Sequence, residues 1–114
     1  MHTANARKSV RYSFRAQVDI SQGQKRIAFG TLIDISIDGL GFTASPSLQV
    51  GETYLVNVRD VTTFECKIMQ CSNFNRYGAK LLLSDRGKRK LAKRLETTVR
   101  ELGLKEAEWR PSEA

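Results

Sequence analysis

One histidine, two cysteines and no long apolar run set the first limits on this 114-residue chain. The histidine, His2, has no partner in the sequence, so acid–base or triad chemistry built on imidazole lacks its parts. A structural zinc site takes four ligands, and His2, Cys66 and Cys71 do not supply them. Cys66 and Cys71 fall in what reads as one strand and the turn after it. The first is read as a small buried apolar residue and the second as a bystander. A bridge between them would require the chain to turn back on itself. No glycine-rich phosphate loop is present, and no serine sits in a nucleophile-elbow pattern. Asp34 and Asp38 could be drawn as a carboxylate pair, but their neighbours add no base, further acid or metal-ligand set. The chain is therefore read as a non-enzyme without metal or cofactor. No apolar signal region follows Met1, and no stretch is long enough to span a membrane. These absences predict a cytoplasmic protein with reduced thiols.

What is present is a modest apolar fraction, 40%, and an excess of basic residues. The formal net charge is +7 and the pI about 9.8. The length suits one domain. A basic surface favours an anionic partner, whether nucleotide, nucleic acid, acidic lipid or acidic protein. A lysine-rich helix accounts for about half of the excess.

Residues 1–10 are polar and small and read as a flexible arm. From Tyr12 to Ile20, Phe14, Ala16, Val18 and Ile20 alternate with polar residues, the period of a half-buried strand. Further strands are read at Ile27–Ile33, Leu40–Ala44, Tyr54–Val58, Val61–Met69 and Tyr77–Leu83, punctuated by turn signals such as Ser21-Gln22-Gly23-Gln24 and Arg59-Asp60. Six short strands at regular spacing predict an all-β fold, a six-stranded antiparallel, split-barrel-like β-barrel. Helical period begins only after Ser84-Asp85, where Leu91, Leu95, Val99 and Leu102 form one apolar stripe and Gly103 offers a stop. This single C-terminal α-helix should pack on the barrel. The predicted division is an arm over 1–10, a barrel with its helix over 11–103, and a polar tail over 104–114.

Two short strings carry the chemistry. Arg7-Lys8-Ser9-Val10-Arg11 supplies two guanidinium groups four residues apart, about 13 Å in extended chain. Guanidinium groups grip phosphate oxygens and the O6/N7 edge of guanine with paired donors. Arg11 and Arg15 offer a second register at the same spacing, but Arg15 sits among the outward positions of the first strand. In Asp34-Ile35-Ser36-Ile37-Asp38-Gly39, the carboxylate and hydroxyl two apart share a face of extended chain. A carboxylate can accept from guanine N1–H and N2–H, and Gly39 removes a side chain where close approach or a positive φ is needed. The alternative for the same string is an Asx or Ser turn closed by a turn glycine. Together the two strings suit a small anionic guanine nucleotide.

R-x-x-x-R followed about twenty residues later by D-x-S-x-x-G, each leading into a hydrophobic strand, resembles the PilZ domain family. Tyr12-Ser13-Phe14 is similar to that family's passage from arm to first strand, Tyr77-Gly78-Ala79-Lys80-Leu81 to its glycine-containing sixth strand. The likeness runs from about Arg7 to Leu102. Two positions depart from it: Asp38, where many members have a second glycine, and Leu81, where an aromatic is common. A carboxylate beside a phosphate would repel, so Asp38 should point away from the ligand.

The resemblance implies a receptor for the bacterial second messenger cyclic di-GMP. Arg7 and Arg11 would hold phosphate and guanine, Asp34 the guanine Watson–Crick edge, Ser36 would donate to a ligand oxygen, and Gly39 would allow close approach. Lys8 and Arg15 are additional candidates should two stacked ligands bind. The arm would become ordered on binding, and an unidentified protein partner would read the change. The alternatives are a nucleic-acid-binding small barrel, which lacks an interleaved aromatic and basic pattern on one strand, and an adaptor that binds no ligand.

Overall fold

Alternating strands that bury every second side chain close here into a ring. The computed structural model describes residues 10–102 and the backbone of 109–111. Its elements are β1 (Val10–Tyr12), β2 (Gln17–Gln22), β3 (Lys25–Ile35), β4 (Gly39–Ser45), β5 (Thr53–Val58), β6 (Thr62–Ser72), β7 (Arg76–Leu81), α1 (Asp85–Glu101) and β8 (Trp109–Pro111). Strands β2, β5, β6, β7, β4 and β3 neighbour one another in that order, and β2 pairs back onto β3. All pairings are antiparallel. The result is the expected six-stranded barrel with its C-terminal helix.

The inward positions fill the barrel with side chains from every wall: Val18 and Ile20, Ile35, Phe42, Val56 and Val58, Cys66 and Ile68 are fully buried, and Tyr77, Ala79 and Leu81 of β7 are buried beside them. Closure leaves no free edge within the ring, which removes the usual route to edge-to-edge association.

The strand expected over Tyr12–Ile20 is broken. Residues 13–16 leave the ladder between β1 and β2, where Ser13 Oγ donates to the Ile33 carbonyl at 2.9 Å and Leu32 N–H donates to the Ala16 carbonyl at 2.9 Å. Phe14 and Ala16 are nonetheless buried. Alternation reports which face is covered, not whether the backbone is paired with a neighbour, so the face was legible and the break was not. Strand β1 meets β3 at one register pair, Tyr12↔Ile35.

The predicted tail also contains structure. Trp109–Pro111 form β8, which pairs with β1 in the register Val10↔Pro111, Arg11↔Arg110 and Tyr12↔Trp109. Three residues have no period to read, and their partner lies almost a whole chain away.

Ser84 caps α1, its Oγ accepting from Gly87 N–H at 3.1 Å. Leu91 and Leu95 are buried and Val99 half-buried, as the stripe required. Leu102, the fourth member, is 43% exposed; it forms the C-cap rather than a packing position. Buried Thr98 takes the inner face instead, its Oγ1 donating to the Asp60 carbonyl at 3.2 Å. Arg94 Nε donates to the Val61 carbonyl at 3.2 Å. The helix is thereby fixed over the β5–β6 turn. The stop read at Gly103 lies outside the described residues.

Both thiols are free. Burial, with a smaller contribution from the neighbouring Glu65 charge, pushes the Cys66 thiol up to about 12. An acid held protonated by the fold contributes stability that is present below its ordinary pKa, about 8.5, and is lost as pH rises through about 12. Thermal melts should therefore soften across that alkaline window, and less so in Cys66→Ala. A thiol reagent at neutral pH should label exposed Cys71 at once and Cys66 only on unfolding; rapid labelling of both would contradict the packing.

Candidate functional site

The outer face of the barrel carries a cavity of about 490 Å³ that crosses β1, β3, β4, β7 and β6. Its floor follows from register. Asp34 on β3 pairs with Gly41 on β4, Gly41 with Gly78 on β7, and Gly78 with Gln70 on β6. Two bare glycines thus lie side by side in one cross-strand row, with a polar side chain at each end. In the adjacent row Gly39 pairs with Lys80. The glycines cannot be replaced freely: a Cβ on Gly41 would come within 2.7 Å of Asp34 Oδ1, and one on Gly39 within 2.7 Å of the Ala79 carbonyl oxygen.

Arg11 and Asp34, 23 residues apart in sequence, meet at this wall. Arg11 Nη1 donates to Asp34 Oδ1 at 3.1 Å, with side chains 40% and 32% exposed. An ion pair so open to water contributes little to stability, under about 1 kcal/mol. It does hold both groups at the cavity before any ligand arrives.

Strand β3 is irregular between Leu32 and Asp34. A bulge there re-aims the residues beyond it and sets Asp34 beside Gly41.

The expectations for individual residues separate here. Arg11, Asp34 and Gly39 line the cavity. Ser36 does not: it is 1% exposed, and its Oγ accepts from Asp38 N–H at 3.1 Å and Gly39 N–H at 3.2 Å. Its own N–H donates to the Gly39 carbonyl at 2.9 Å. The hydroxyl builds the β3–β4 turn that presents Asp34 and Gly39, the turn reading of the same string.

Asp38 lines the cavity rather than turning from it, and its charge is met by Lys88 Nζ at 3.1 Å from the first turns of α1. Arg15 is exposed between β1 and β2 and does not line the cavity. Arg7 and Lys8 lie outside the described residues.

The far side of the cavity was not anticipated. Met69 and Gln70 from β6, and Arg76 and Lys80 from β7, face Arg11 and Asp34 across the glycines. The outward period of Arg76, Gly78 and Lys80 against inward Tyr77, Ala79 and Leu81 was available in the sequence as a polar strand face. Three cations and two carboxylates therefore line the cavity, and Lys88 adds a fourth cation at its edge. A recess with a bare backbone floor, guanidinium donors and a carboxylate acceptor is chemically a site for an anionic ligand with hydrogen-bonding edges.

Fold and site together define a small β-barrel with an outer trough lined by Arg11, Arg76 and Lys80 and by Asp34 and Asp38. The sequence matches the PilZ domain over residues 5–96, and the chain belongs to that family. No curated protein matches it significantly. Among solved structures, the PilZ domain of YcgR from Escherichia coli with c-di-GMP is similar at 19% identity, with a TM-score of 0.67, covering 84% of this chain and 93% of that one. The PilZ domain of CeSA from a cellulose-synthesizing bacterium is similar at 15% identity and a TM-score of 0.58, over 79% of this chain and 97% of that one. The Bacillus subtilis inhibitor of motility, MotI/DgrA, is similar at 19% identity and a TM-score of 0.60, covering 84% of this chain and 51% of that one. At these identities the likeness shows the shared fold alone. The chain spans about half of MotI/DgrA. Among the described residues, no helix is long and apolar enough to cross a membrane.

Proposed function

We propose that this domain is a cyclic di-GMP receptor that acts by binding, in the cytoplasm, rather than by catalysis. One observation carries the reading: the two halves of the sequence signature, Arg11 and Asp34, meet at 3.1 Å on the wall of a glycine-floored cavity. Membership of the PilZ family and the ligand in the YcgR structure support the same choice. Arg11 donates to phosphate and to the guanine O6/N7 edge, and Asp34 accepts from guanine N1–H and N2–H. Gly39 and Gly41 let the ligand lie close to the backbone. Ser36 acts through the turn it builds. Arg7 adds the second guanidinium from the arm, with Lys8 and Arg15 in reserve for a second ligand molecule.

Residues 1–10 carry no apolar periodicity that could hold them down, and binding at Arg11 orders the residues that precede it. Fixing each residue costs about 1 kcal/mol or more, so affinity is moderate for the number of contacts. The ordered arm is the signal that a partner protein reads.

Calorimetry with cyclic di-GMP, GTP and a short RNA in parallel tests this. The expected result is a dissociation constant in the micromolar range or tighter for cyclic di-GMP, about −8 kcal/mol, and no comparable heat from the others. An equal response to RNA would move the protein to the nucleic-acid-binding class, and no heat with cyclic di-GMP would end the reading. Hydrogen exchange on the same samples should show new protection at residues 5–10 with ligand and little change at 34–39. Equal protection of the arm in both states would refute the ordering step.

A further inference from the structure

The wall of the cavity opposite Arg11 is built with the same device as the wall that carries Asp34. Strand β6 is irregular between Ile68 and Gln70, as β3 is between Leu32 and Asp34. In regular alternation after buried Ile68, Met69 would face out and Gln70 in. The bulge turns Gln70 outward into the glycine row. A Cβ added to Gly78 would stand 3.0 Å from Gln70 Cγ and 3.1 Å from its Nε2, so the amide lies folded over the floor rather than extended into solvent. Arg76 stands two residues along β7 on the same outer face. Among the described residues, neither the Gln70 amide nor the Arg76 guanidinium makes a side-chain hydrogen bond or ion pair. Arg11 and Asp38, by contrast, are both matched by opposite charges.

We infer that Gln70 and Arg76 hold the second nucleotide of the cyclic dinucleotide, Gln70 at the base edge and Arg76 at the phosphate. This rests on the cyclic di-GMP reading above and extends it to residues outside the two signature strings. Asp34 and Gln70 are separated by three strand spacings, about 14 Å, too far for one nucleotide to serve both ends but suited to a ligand with two bases. A carboxamide presents a donor and an acceptor side by side. Gln70 Nε2–H donates to guanine O6 while Oε1 accepts from N1–H of the same base. Arg76 donates to phosphate oxygens in the paired fashion that guanidinium favours.

The test is calorimetric titration of cyclic di-GMP into the full chain and into Gln70→Ala, Arg76→Ala, Arg11→Ala and Lys67→Ala. Lys67 is exposed on the outer face of β6 and does not line the cavity, so its removal controls for the loss of one positive charge. Gln70→Ala and Arg76→Ala are expected to weaken binding about tenfold or more, and Lys67→Ala less than threefold. All these side chains lie outside the core, so melting temperatures should stay close to that of the unaltered protein. In a nitrogen-resolved spectrum, the Gln70 side-chain amide pair, identified by its loss in Gln70→Ala, should shift at saturating ligand. If the unaltered chain binds and Arg11→Ala does not, yet Gln70→Ala or Arg76→Ala binds within twofold of it, that residue's assignment is overturned while the receptor reading stands. If Lys67→Ala weakens binding as much as Arg76→Ala, the effect is general charge and the phosphate contact falls. If the unaltered chain does not bind, the receptor reading fails first.

Discussion

Arg11→Ala should weaken cyclic di-GMP binding by about 1.5–3 kcal/mol, roughly 10- to 150-fold, with the fold intact. The side chain is half-buried at the cavity wall, and its one described partner is Asp34. Losing that open ion pair costs the protein well under about 1 kcal/mol, so the melting temperature should hardly move. The ligand, in contrast, loses charge-assisted bonds that nothing else on this wall replaces. Asp34→Ala should behave differently. It leaves the guanidinium in place and removes a negative charge beside the phosphates, but it also removes the acceptor for guanine N1–H and N2–H. Adenine lacks those two donors. Arg11→Ala should therefore weaken both guanine and adenine cyclic dinucleotides through the lost phosphate bonds, and the guanine ligand somewhat more because its O6/N7 contact is lost as well. Asp34→Ala should weaken the guanine ligand selectively and narrow the difference between them. Titrating both ligands into both variants checks the division of labour. An equal loss for both ligands in Asp34→Ala would mean that the carboxylate only positions Arg11.

The near wall of this site was legible in the sequence because its parts are local strings. Asp34, the turn hydroxyl of Ser36 and Gly39 fall within six residues, and hydrophobic strands flank them. The role of Ser36 was open between ligand donor and turn builder. Only its burial and its two accepted N–H bonds favour the second. The β6 part of the far wall was illegible for a specific reason. Period-two reading assumes an unbroken ladder, and a bulge in β6 reverses the faces from Gln70 onward. The strand at Trp109–Pro111 was missed because its partner, β1, is distant in sequence and three residues carry no pattern. Six strands, their faces and the helix were legible because each buries a periodic apolar face. Leu102 shows the limit of that reading: the stripe continued in sequence after the helix had ended.

Gly30 should be the least replaceable glycine among the described residues, although the sequence shows only a glycine inside an apolar strand. It lies where β3 is paired on both sides, opposite Val18 of β2 and Ala44 of β4. All three share the inward parity of the closing corner. A Cβ on Gly30 would overlap the Thr43 carbonyl oxygen, and would stand 2.6 Å from the Thr43 carbonyl carbon and 2.9 Å from Ala44 Cα. These are backbone atoms, so no side-chain rotation relieves the clash, and β3 and β4 must separate. Gly30→Ala should cost about 3 kcal/mol, a large part of a small domain's stability. At roughly 4–8 °C per kcal/mol for a domain of this size, the melting temperature should fall by more than about 10 °C. Gly23→Ala provides the contrast. That residue sits in a hairpin turn at φ +61 with nothing within 4 Å of an added Cβ, so its cost is conformational and should be only about 1 kcal/mol. The damage at Gly30 should also reach the ligand. Strand β4, which must move, carries Gly39 and Gly41, and Gly41 is the residue against which Asp34 is set. Gly30→Ala should therefore bind cyclic di-GMP more weakly even at temperatures where it remains folded, while Gly23→Ala should bind normally. Denaturant melts and titrations of the two variants decide it. A Gly30→Ala protein that melts within a few degrees of the unaltered chain would show that the barrel corner is more compliant than its backbone packing implies.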